Sequence, residues 1–469
     1  MMLKSVNGAP HRSHWLQEIL PGEQDCPVLV GDERADVVIV GGGLVGLWTA
    51  LRIKEREPSC DVILLERDVC GGGASGRNGG FVMSWWPKLA SLVRLYGRDD
   101  AVAIASASES VIAELGQYLD ENGIDAGYKQ NGWLWTATSK SQVGAWQPVL
   151  DFCERVGVEP FTKVSPEEVA RRTGSPQHIA GVFEASTATL QPAALVRGLR
   201  RVAIERGVRI FEHTHVHRMS RRLPATVFTA GGKVRAEKVV VATNAWAANI
   251  PELHTSLLVL SSDMVATPPI PERLKEIGWV GGEGITDSQT MINYYRTTAD
   301  GRIAFGKGGL DIGFAGRVPA SFDHDLGHAR LVADEFRRTY PMLADVPLAQ
   351  AWGGAVDRTP DGLPIMGHLG GRPHLIYGVG WSGNGLAPSM LGGQVLAALA
   401  LEADDDWSRF PLIDRPRKHF PPEPARFLGA QLVKRAIASK ERAEAAGSRP
   451  RWTDNMLAKL APAGVEDKK

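Results

Sequence analysis

The sequence predicts an α/β (α+β) protein in which a mixed or antiparallel-sheet domain is inserted into a parallel-sheet, nucleotide-binding-type domain. Three observations predict it. Residues 35–66 run strand, glycine-rich turn, helix, strand. Residues 250–320 are rich in Gly and Pro and lack helical periodicity. Residues 374–401 then return to an alternating strand–helix pattern. Short β-branched runs bounded by glycine mark buried parallel strands, whereas helices need a repeat near 3.6.

Each element follows in order. Trp15, Leu16, Ile19 and Leu20 have helical spacing, so a short helix within the polar lead-in 1–34 is expected to dock on the body. Ala35-Asp36-Val37-Val38-Ile39-Val40 is the first strand. Gly41 to Gly46 is the turn, a helix runs to about Glu57 before Pro58, and 61–66 is the second strand. Helices are predicted at 101–123, 141–156, 166–172 and 192–206, with a strand at 131–138. Strands are predicted at 208–211, 216–219, 226–230 and 238–242, with Gly231-Gly232 as a turn. Short strands at 291–295 and 302–305 and a helix at 326–339 complete the middle. The stretch 375–401 carries no charge, but six glycines and Pro388 make it a loop entering a buried helix rather than a bilayer span. The basic tail has Phe427, Leu428, Leu432, Val433, Ala436 and Ile437 able to line one helix face, which is expected to pack on the body, with peripheral membrane docking as the alternative.

The domain boundaries that follow are an extension at 1–34, a nucleotide-binding domain from 35–100, 192–250 and 350–402, a substrate-binding domain from 101–191 and 251–349, and a helical basic tail at 403–469. Lys+Arg and Asp+Glu are both 53, which excludes a generally basic nucleic-acid binder. Cys26, Cys60, Cys70 and Cys153 form no CxxC pair, so a zinc ribbon or redox dithiol is disfavoured. No secretory leader is recognised, the cytoplasm is the expected setting, and no membrane partner is expected. Nothing in the sequence sets the oligomeric state.

Gly41-x-Gly43-x-x-Gly46 lies between a strand and a helix. The first Gly permits the tight turn, the second lets a pyrophosphate approach the backbone, and the third allows close helix–strand packing. The helix N-terminus offers free N–H groups to phosphates. Glu66 ends the next strand, where a carboxylate accepts from ribose hydroxyls. These features predict dinucleotide binding. A second glycine-rich run spans residues 71–80, in which Ser75, Arg77 and Asn78 add donors. A third, 380–385, opens the uncharged helix and can stabilise negative charge on a reduced flavin.

Five separated motifs carry a family resemblance: ADVVIVGGGLVG, LLERDVCGGGASGRNGG, VVVATNAW, DRTPDGLPIMG and GVGWSGNGLAPSMLGG. Over about residues 35–402 the chain resembles the glycine/D-amino-acid oxidase (DAO) superfamily of FAD-dependent amine oxidoreductases. GASGRNGG is most similar to the γ-glutamylputrescine oxidoreductase branch, and HWLQ, GLWTALRIKE and GASGRNGGFVMSWWPK are similar to its aminophosphonate oxidoreductases. The resemblance implies a Rossmann-like FAD domain. It implies that Gly41, Gly43 and Gly46 hold the pyrophosphate and Glu66, with Arg67 beside it, the adenosine end. It implies that Ser75, Arg77, Asn78 and Gly79 touch the flavin or its phosphates. Val216 would meet the adenine through its backbone, and Gly383, Asn384 and Gly385 would face the pyrimidine edge of the ring. Some relatives attach FAD through a late cysteine; none lies beyond Cys153 here, so non-covalent FAD is expected, with a histidyl link left open.

The activity this implies is hydride transfer from the carbon beside a primary or secondary amine, whether N-alkyl amine, ω-amine or aminophosphonate, to the flavin. The partners are a small-molecule amine and dioxygen or another electron acceptor. A dehydrogenase with a different acceptor and a non-catalytic flavin-binding sensor or assembly protein are the alternatives. A nicotinamide-dependent reductase would need a second dinucleotide fingerprint, and none is found. Lys307 is the candidate cation for oxygen activation, against a solvated strand-end lysine. Arg296, beside Tyr294 and Tyr295, and Arg358 are candidate anchors for a carboxylate or phosphonate. One or two of Trp85, Trp86, Trp352 and Trp381 are expected to wall the amine pocket. His213, His215 and His217 alternate, as on one strand face, yet few carboxylates lie near and no metal is predicted.

Overall fold

The computed structural model describes residues 11–464; the ends of the lead-in and of the basic tail, 1–10 and 465–469, lie outside the described residues. The first of its two large sheets is built on the predicted βαβ unit. Gly31–Val40 pairs in parallel with Val62–Leu65 on one side and Gly232–Val241 on the other. Arg209–Phe211 and Leu375–Val379 extend the sheet in parallel, and Ile365–His368 closes one edge in antiparallel sense. Val62–Leu65 is buried at every residue, as a strand covered on both faces must be. Helices Leu44–Arg56, Pro192–Glu205 and Leu386–Ala400 cover one face. Leu386–Ala400 packs tightly on Leu44–Arg56: a Cβ on Gly393 would lie 2.5 Å from the Trp48 Cβ. Among the described residues no helix is long and apolar enough to cross a membrane.

The second sheet has the strand order Gln350–Arg358, Leu258–Ala266, Ile303–Ile312, Asn293–Thr297, Gly284–Thr286, Trp133–Ala137, Ala180–Glu184, Thr162–Val164. It is antiparallel except between Gly284–Thr286 and Trp133–Ala137, which explains why the middle shows no helical repeat. Leu326–Thr339 packs on it, its start capped by Asp325, whose carboxylate accepts from the His328 N–H.

Several expectations are corrected. Gln350–Arg358 pairs with Leu258–Ala266, so the stretch after 350 begins in the second sheet rather than the first. Helix Arg98–Glu121 lies against the nucleotide-side helices, with Tyr118 edge-on to Trp48 at 4.8 Å. The helix expected at 141–156 is continuous only over Gln147–Val156, because Gly144 sits at φ +77. The middle also holds a short helix, Pro271–Glu276. The strand expected at 216–219 is reduced to Arg218–Met219, and His213 adopts φ +51, so the three histidines do not share a strand face. The lead-in helix, His14–Ile19, docks as expected: Ser13 caps it, and Trp15 and Leu16 are buried. The tail forms two helices, Ala425–Ala445 and Trp452–Ala458, with Ala436, Ile437 and Glu441 inward. Leu428 and Leu432, expected on the packed face, are instead 63% and 53% exposed.

Candidate functional site

One cavity of about 610 Å³ runs between the two sheets and is lined from the C-terminal ends of the parallel strands to Leu260, Ser262 and Tyr294 of the second sheet and Ile292 beside it. Parallel sheets place ligands at this end because the helix N-termini point there.

At the first turn Gly41 has φ +113, and a Cβ there would meet the Ala242 carbonyl oxygen at 2.4 Å. Gly41 and Gly43 line the cavity. Gly46 does not: a Cβ on it would lie 2.0 Å from the Gly41 carbonyl oxygen, so it fixes the approach of helix to strand instead of touching a ligand. Glu66 lines the wall and accepts from the backbone N–H groups of Gly42 (2.8 Å) and Asp68 (2.9 Å). Its burial pushes the carboxyl up from the ordinary range. Arg67 lies 4.0 Å over the Trp246 ring, and both line the cavity. Val216 lines it as well, between His215 and His217.

The second glycine-rich run is braced by its own side chains. The Leu44 N–H donates to Ser75 Oγ at 2.9 Å, tying this loop to the start of the nucleotide helix. Arg77 is buried and donates to the carbonyls of Gly72 (2.7 Å), Gly353 (3.1 Å) and His11 (2.6 Å). Asn78 donates to the Ala74 and Ser75 carbonyls and accepts from the Gly80 N–H. A Cβ on Gly79 would lie 2.9 Å from the Tyr294 ring, so glycine there admits the tyrosine. Ser75, Arg77, Asn78 and Gly79 all line the cavity.

Gly383 and Gly385 line the opposite wall, at the entry to Leu386–Ala400. Asn384 points away and donates to the Ser84 carbonyl at 3.1 Å. This turn is held from beneath by Asp357, which accepts from the Gly380 N–H and whose carboxyl burial pushes up to about 7. The role of Asp357 was hidden in the sequence by its neighbour: it sits in DRTPDG beside the arginine that reaches the cavity.

At the second-sheet end, Tyr294 lines the cavity with its hydroxyl 2.8 Å from Ser262 Oγ, and burial pushes the phenol well above its ordinary range. Arg358 lines it too, and its Nη1 donates to the Ala463 carbonyl at 2.7 Å. Ser261, Ser262 and Ile292 also line the cavity; nothing in their local sequence distinguishes them from ordinary strand and loop residues.

Two candidates lie elsewhere. Arg296 donates to the carbonyls of Gly79 (2.7 Å), Leu190 (2.5 Å) and Thr297 (3.2 Å) and lies over the Trp15 ring. Burial lowers it to about 10. It fastens the second glycine-rich run to the lead-in helix and is outside the cavity lining, which corrects its reading as a substrate anchor. Lys307 is neither solvated nor at a strand end. It lies within Ile303–Ile312, and its Nζ donates to Gln289 Oε1 (2.9 Å) and the Met291 carbonyl (2.8 Å), with Glu441 at 3.5 Å. Gly308 lines the cavity, and strand alternation sends the neighbouring Lys307 side chain to the other face; Gly309, at φ +77, breaks the alternation and lines the cavity too. Of the four candidate tryptophans only Trp381 lines the cavity, joined by Trp246 from the VVVATNAW motif. The other three fill cores. Among the described residues no cluster of three or more His, Cys, Asp or Glu is placed to hold a metal.

A Rossmann-type turn, an acidic strand end and a second glycine-rich wall around one elongated cavity define a flavin-dinucleotide oxidoreductase. The model of the DAO family, described as FAD dependent oxidoreductase, matches residues 36–399, and the chain belongs to that family. It is 29% identical over 371 residues to gamma-glutamylputrescine oxidoreductase of Escherichia coli (strain K12), covering 78% of this chain and 83% of that protein. It is 25% identical over 377 residues to glycine oxidase of Geobacillus kaustophilus (strain HTA426), covering 78% and 93%. The crystal structure of glycine oxidase from Geobacillus kaustophilus superposes with a TM-score of 0.66 at 22% identity, covering 82% of this chain and all of that one. L-amino acid deaminase from Proteus vulgaris gives 0.64 at 20%, covering 87% and 98%. The chain is a FAD-dependent oxidoreductase of the amine and amino-acid oxidising kind. The residues present fit FAD: a Gly41 turn that any side chain would block, the Gly43 backbone N–H at the start of the nucleotide helix, a ribose acceptor at Glu66, and a glycine-lined wall between Gly79 and Gly383. None of the four cysteines lines the cavity.

Proposed function

We propose that this protein oxidises a small amine bearing an anionic group, with Arg358 as the anchor for that group. The observation that carries the reading is the distribution of charge in the cavity. Its lining carboxylates are Glu66 and Asp68, both at the nucleotide end. Among the described residues, the end bounded by Met83, Leu260, Ile292, Tyr294 and Trp381 holds a guanidinium and no carboxylate.

When bound, FAD would supply the acceptor for a hydride from the carbon beside the amine nitrogen; water would hydrolyse the resulting imine to an aldehyde or keto acid with release of the amine nitrogen, and dioxygen, reduced to hydrogen peroxide, would take up the electron pair. The chain's own residues orient the substrate for this. Arg358 grips a carboxylate or phosphonate by parallel N–H···O bonds. Apolar side chains exclude water and favour the neutral amine whose lone pair the reaction needs. Tyr294 remains protonated throughout the neutral range, so with Ser262 it offers a fixed donor–acceptor pair at the reacting end. The Leu386–Ala400 N-terminus places positive dipole beside Gly383 and Gly385, where negative charge develops on reduction.

The test is anaerobic addition of an amine panel that includes an aminophosphonate, γ-glutamylputrescine and glycine to the yellow protein. Bleaching by an anionic amine, and oxygen consumption once air is admitted, are expected. Failure of every anionic amine to bleach the flavin would overturn the reading.

A further inference from the structure

The tail hairpin presents a surface that the rest of the described residues do not cover. It lies beyond the residues matched by the family model, which end at 399. Of the fifteen large hydrophobic side chains exposed among the described residues, five are in residues 425–464: Leu428, Leu432, Trp452, Met456 and Leu460. This concentration on a short segment separates them from scattered surface apolars. Trp452 is 73% exposed, and each of the other twelve tryptophans is buried or half-buried. The spacing is helical on both arms. Leu428, Leu432, Arg435 and Arg442 recur at intervals that keep them on one face of Ala425–Ala445, opposite the buried Ile437 and Glu441. Trp452 and Met456 are one turn apart, and Leu460 follows at the same interval.

The charge on this surface has one sign. Every exposed charged side chain in residues 425–464 is basic: Arg435, Arg442, Arg449, Arg451 and Lys459. The three acids are all engaged. Glu441 accepts from the Met291 N–H at 2.7 Å, Glu444 pairs with Lys440 at 2.8 Å, and Asp454 accepts from Ser439 at 2.8 Å. The hairpin is also held to the body, where Lys434 donates to the Leu310 carbonyl and Arg426 to the Leu257 carbonyl.

We propose that this face docks on an anionic phospholipid surface. Exposed Leu, Met and Trp interleaved with Arg and Lys on short helices match the chemistry of an interfacial amphipathic element, in which apolar side chains enter the acyl boundary and cations meet lipid phosphates. A second copy of the chain is disfavoured, since a two-fold contact through this face would set like charges against one another.

The experiment uses the FAD-loaded full chain with vesicles of phosphatidylcholine alone and of phosphatidylcholine mixed with phosphatidylglycerol. Co-sedimentation is expected with the anionic vesicles only and is lost at high salt. Trp452→Ser with Met456→Ser, and separately Arg435→Glu with Arg442→Glu, should each weaken binding by about tenfold or more while flavin content is unchanged. In the unaltered chain, iodide quenching of the exposed Trp452 should fall when anionic vesicles are added. Absence of vesicle binding, binding by both variants as tight as that of the unaltered chain, or undiminished quenching of Trp452 on vesicles overturns the proposal. So does a salt-insensitive dimer that the Trp452 variant abolishes, which would assign the face to a second copy.

Discussion

The two ends of the cavity are built on different principles. At the nucleotide end the ligand-facing atoms are mostly main chain: the turn at Gly41 and Gly43, the loop at Gly71 to Gly80, and the turn at Gly383 to Gly385. The side chains there, Arg77 and Asn78 among them, hydrogen-bond to the loop's own carbonyls. At the second-sheet end the lining is made by residues on strands, Tyr294, Ser262 and Arg358, with Ile292 just before a strand. Main-chain cradles need close approach and fail when any side chain intrudes. Side-chain walls tolerate substitution and set selectivity.

That contrast is broken most forcefully at Gly46. A Cβ there would overlap the Gly41 carbonyl oxygen, a backbone atom that cannot rotate away. Gly46→Ala is expected to separate helix from strand, lower stability by about 1–3 kcal/mol and abolish flavin retention, read as flavin absorbance per protein and as melting temperature. Glu66 comes next. Its carboxylate accepts two backbone N–H bonds. Glu66→Ala leaves both donors unpaired and should raise the FAD dissociation constant by about 100-fold, with Glu66→Gln nearer tenfold because one acceptor survives.

The same contrast explains what the sequence disclosed. The βαβ unit, the three glycine-rich walls and Glu66 were legible because main-chain chemistry leaves a residue-type signature: only glycine fits where a carbonyl lies two ångströms from a would-be Cβ. The second sheet was legible as a class, from the absence of helical period, but not in its pairing. Nothing local announced that Gln350–Arg358 joins Leu258–Ala266. Arginine and lysine misled for a related reason. Arg296, Arg358 and Lys307 all sit on strands of this sheet, and a strand's alternation decides which side chains reach the cavity. Lys307 falls on the wrong face beside two cavity-lining glycines. Tail packing is not legible from hydrophobicity alone, because Leu428 and Leu432 lie across Ala425–Ala445 from the buried Ile437, and apolar residues on both sides of a helix do not say which side is covered.

Arg296 and Arg358 sharpen the comparison as a pair. Arg296→Met removes donors from three carbonyls in a buried site and is expected to cost about 2–4 kcal/mol, with flavin lost as the second glycine-rich run loosens. Arg358→Met faces the cavity. It should leave melting temperature within a few degrees of the unaltered chain, yet raise KM for an anionic amine by about 10- to 100-fold, with little change for a neutral amine of similar size. If both variants lose stability and neither discriminates between anionic and neutral amines, the assignment of Arg358 to the substrate fails.

The effect expected to touch function least is a pH dependence of folding from Glu184. This buried carboxyl ends the strand Ala180–Glu184, accepts from Ser84 Oγ (2.6 Å) and Ser186 Oγ (2.9 Å), and has no cationic partner among the described residues. Burial pushes it up to about 7 from 4.5. A carboxyl raised in the folded state is protonated in both states below the unfolded value, so it carries no penalty in acid. As pH climbs through 4.5 the unfolded chain ionises first, and stability falls until the folded group ionises near 7; the deficit then stays constant at about 3 kcal/mol or less. Glu184→Gln keeps one oxygen to accept from both serines and removes the titration. Its melting temperature is expected to match that of the unaltered chain near pH 4 and to exceed it by a few degrees at pH 8, as scanned by calorimetry across that range. Asp357 is also raised to about 7, so the slope should shrink in the variant without vanishing. An unchanged slope would place the titration on groups other than Glu184.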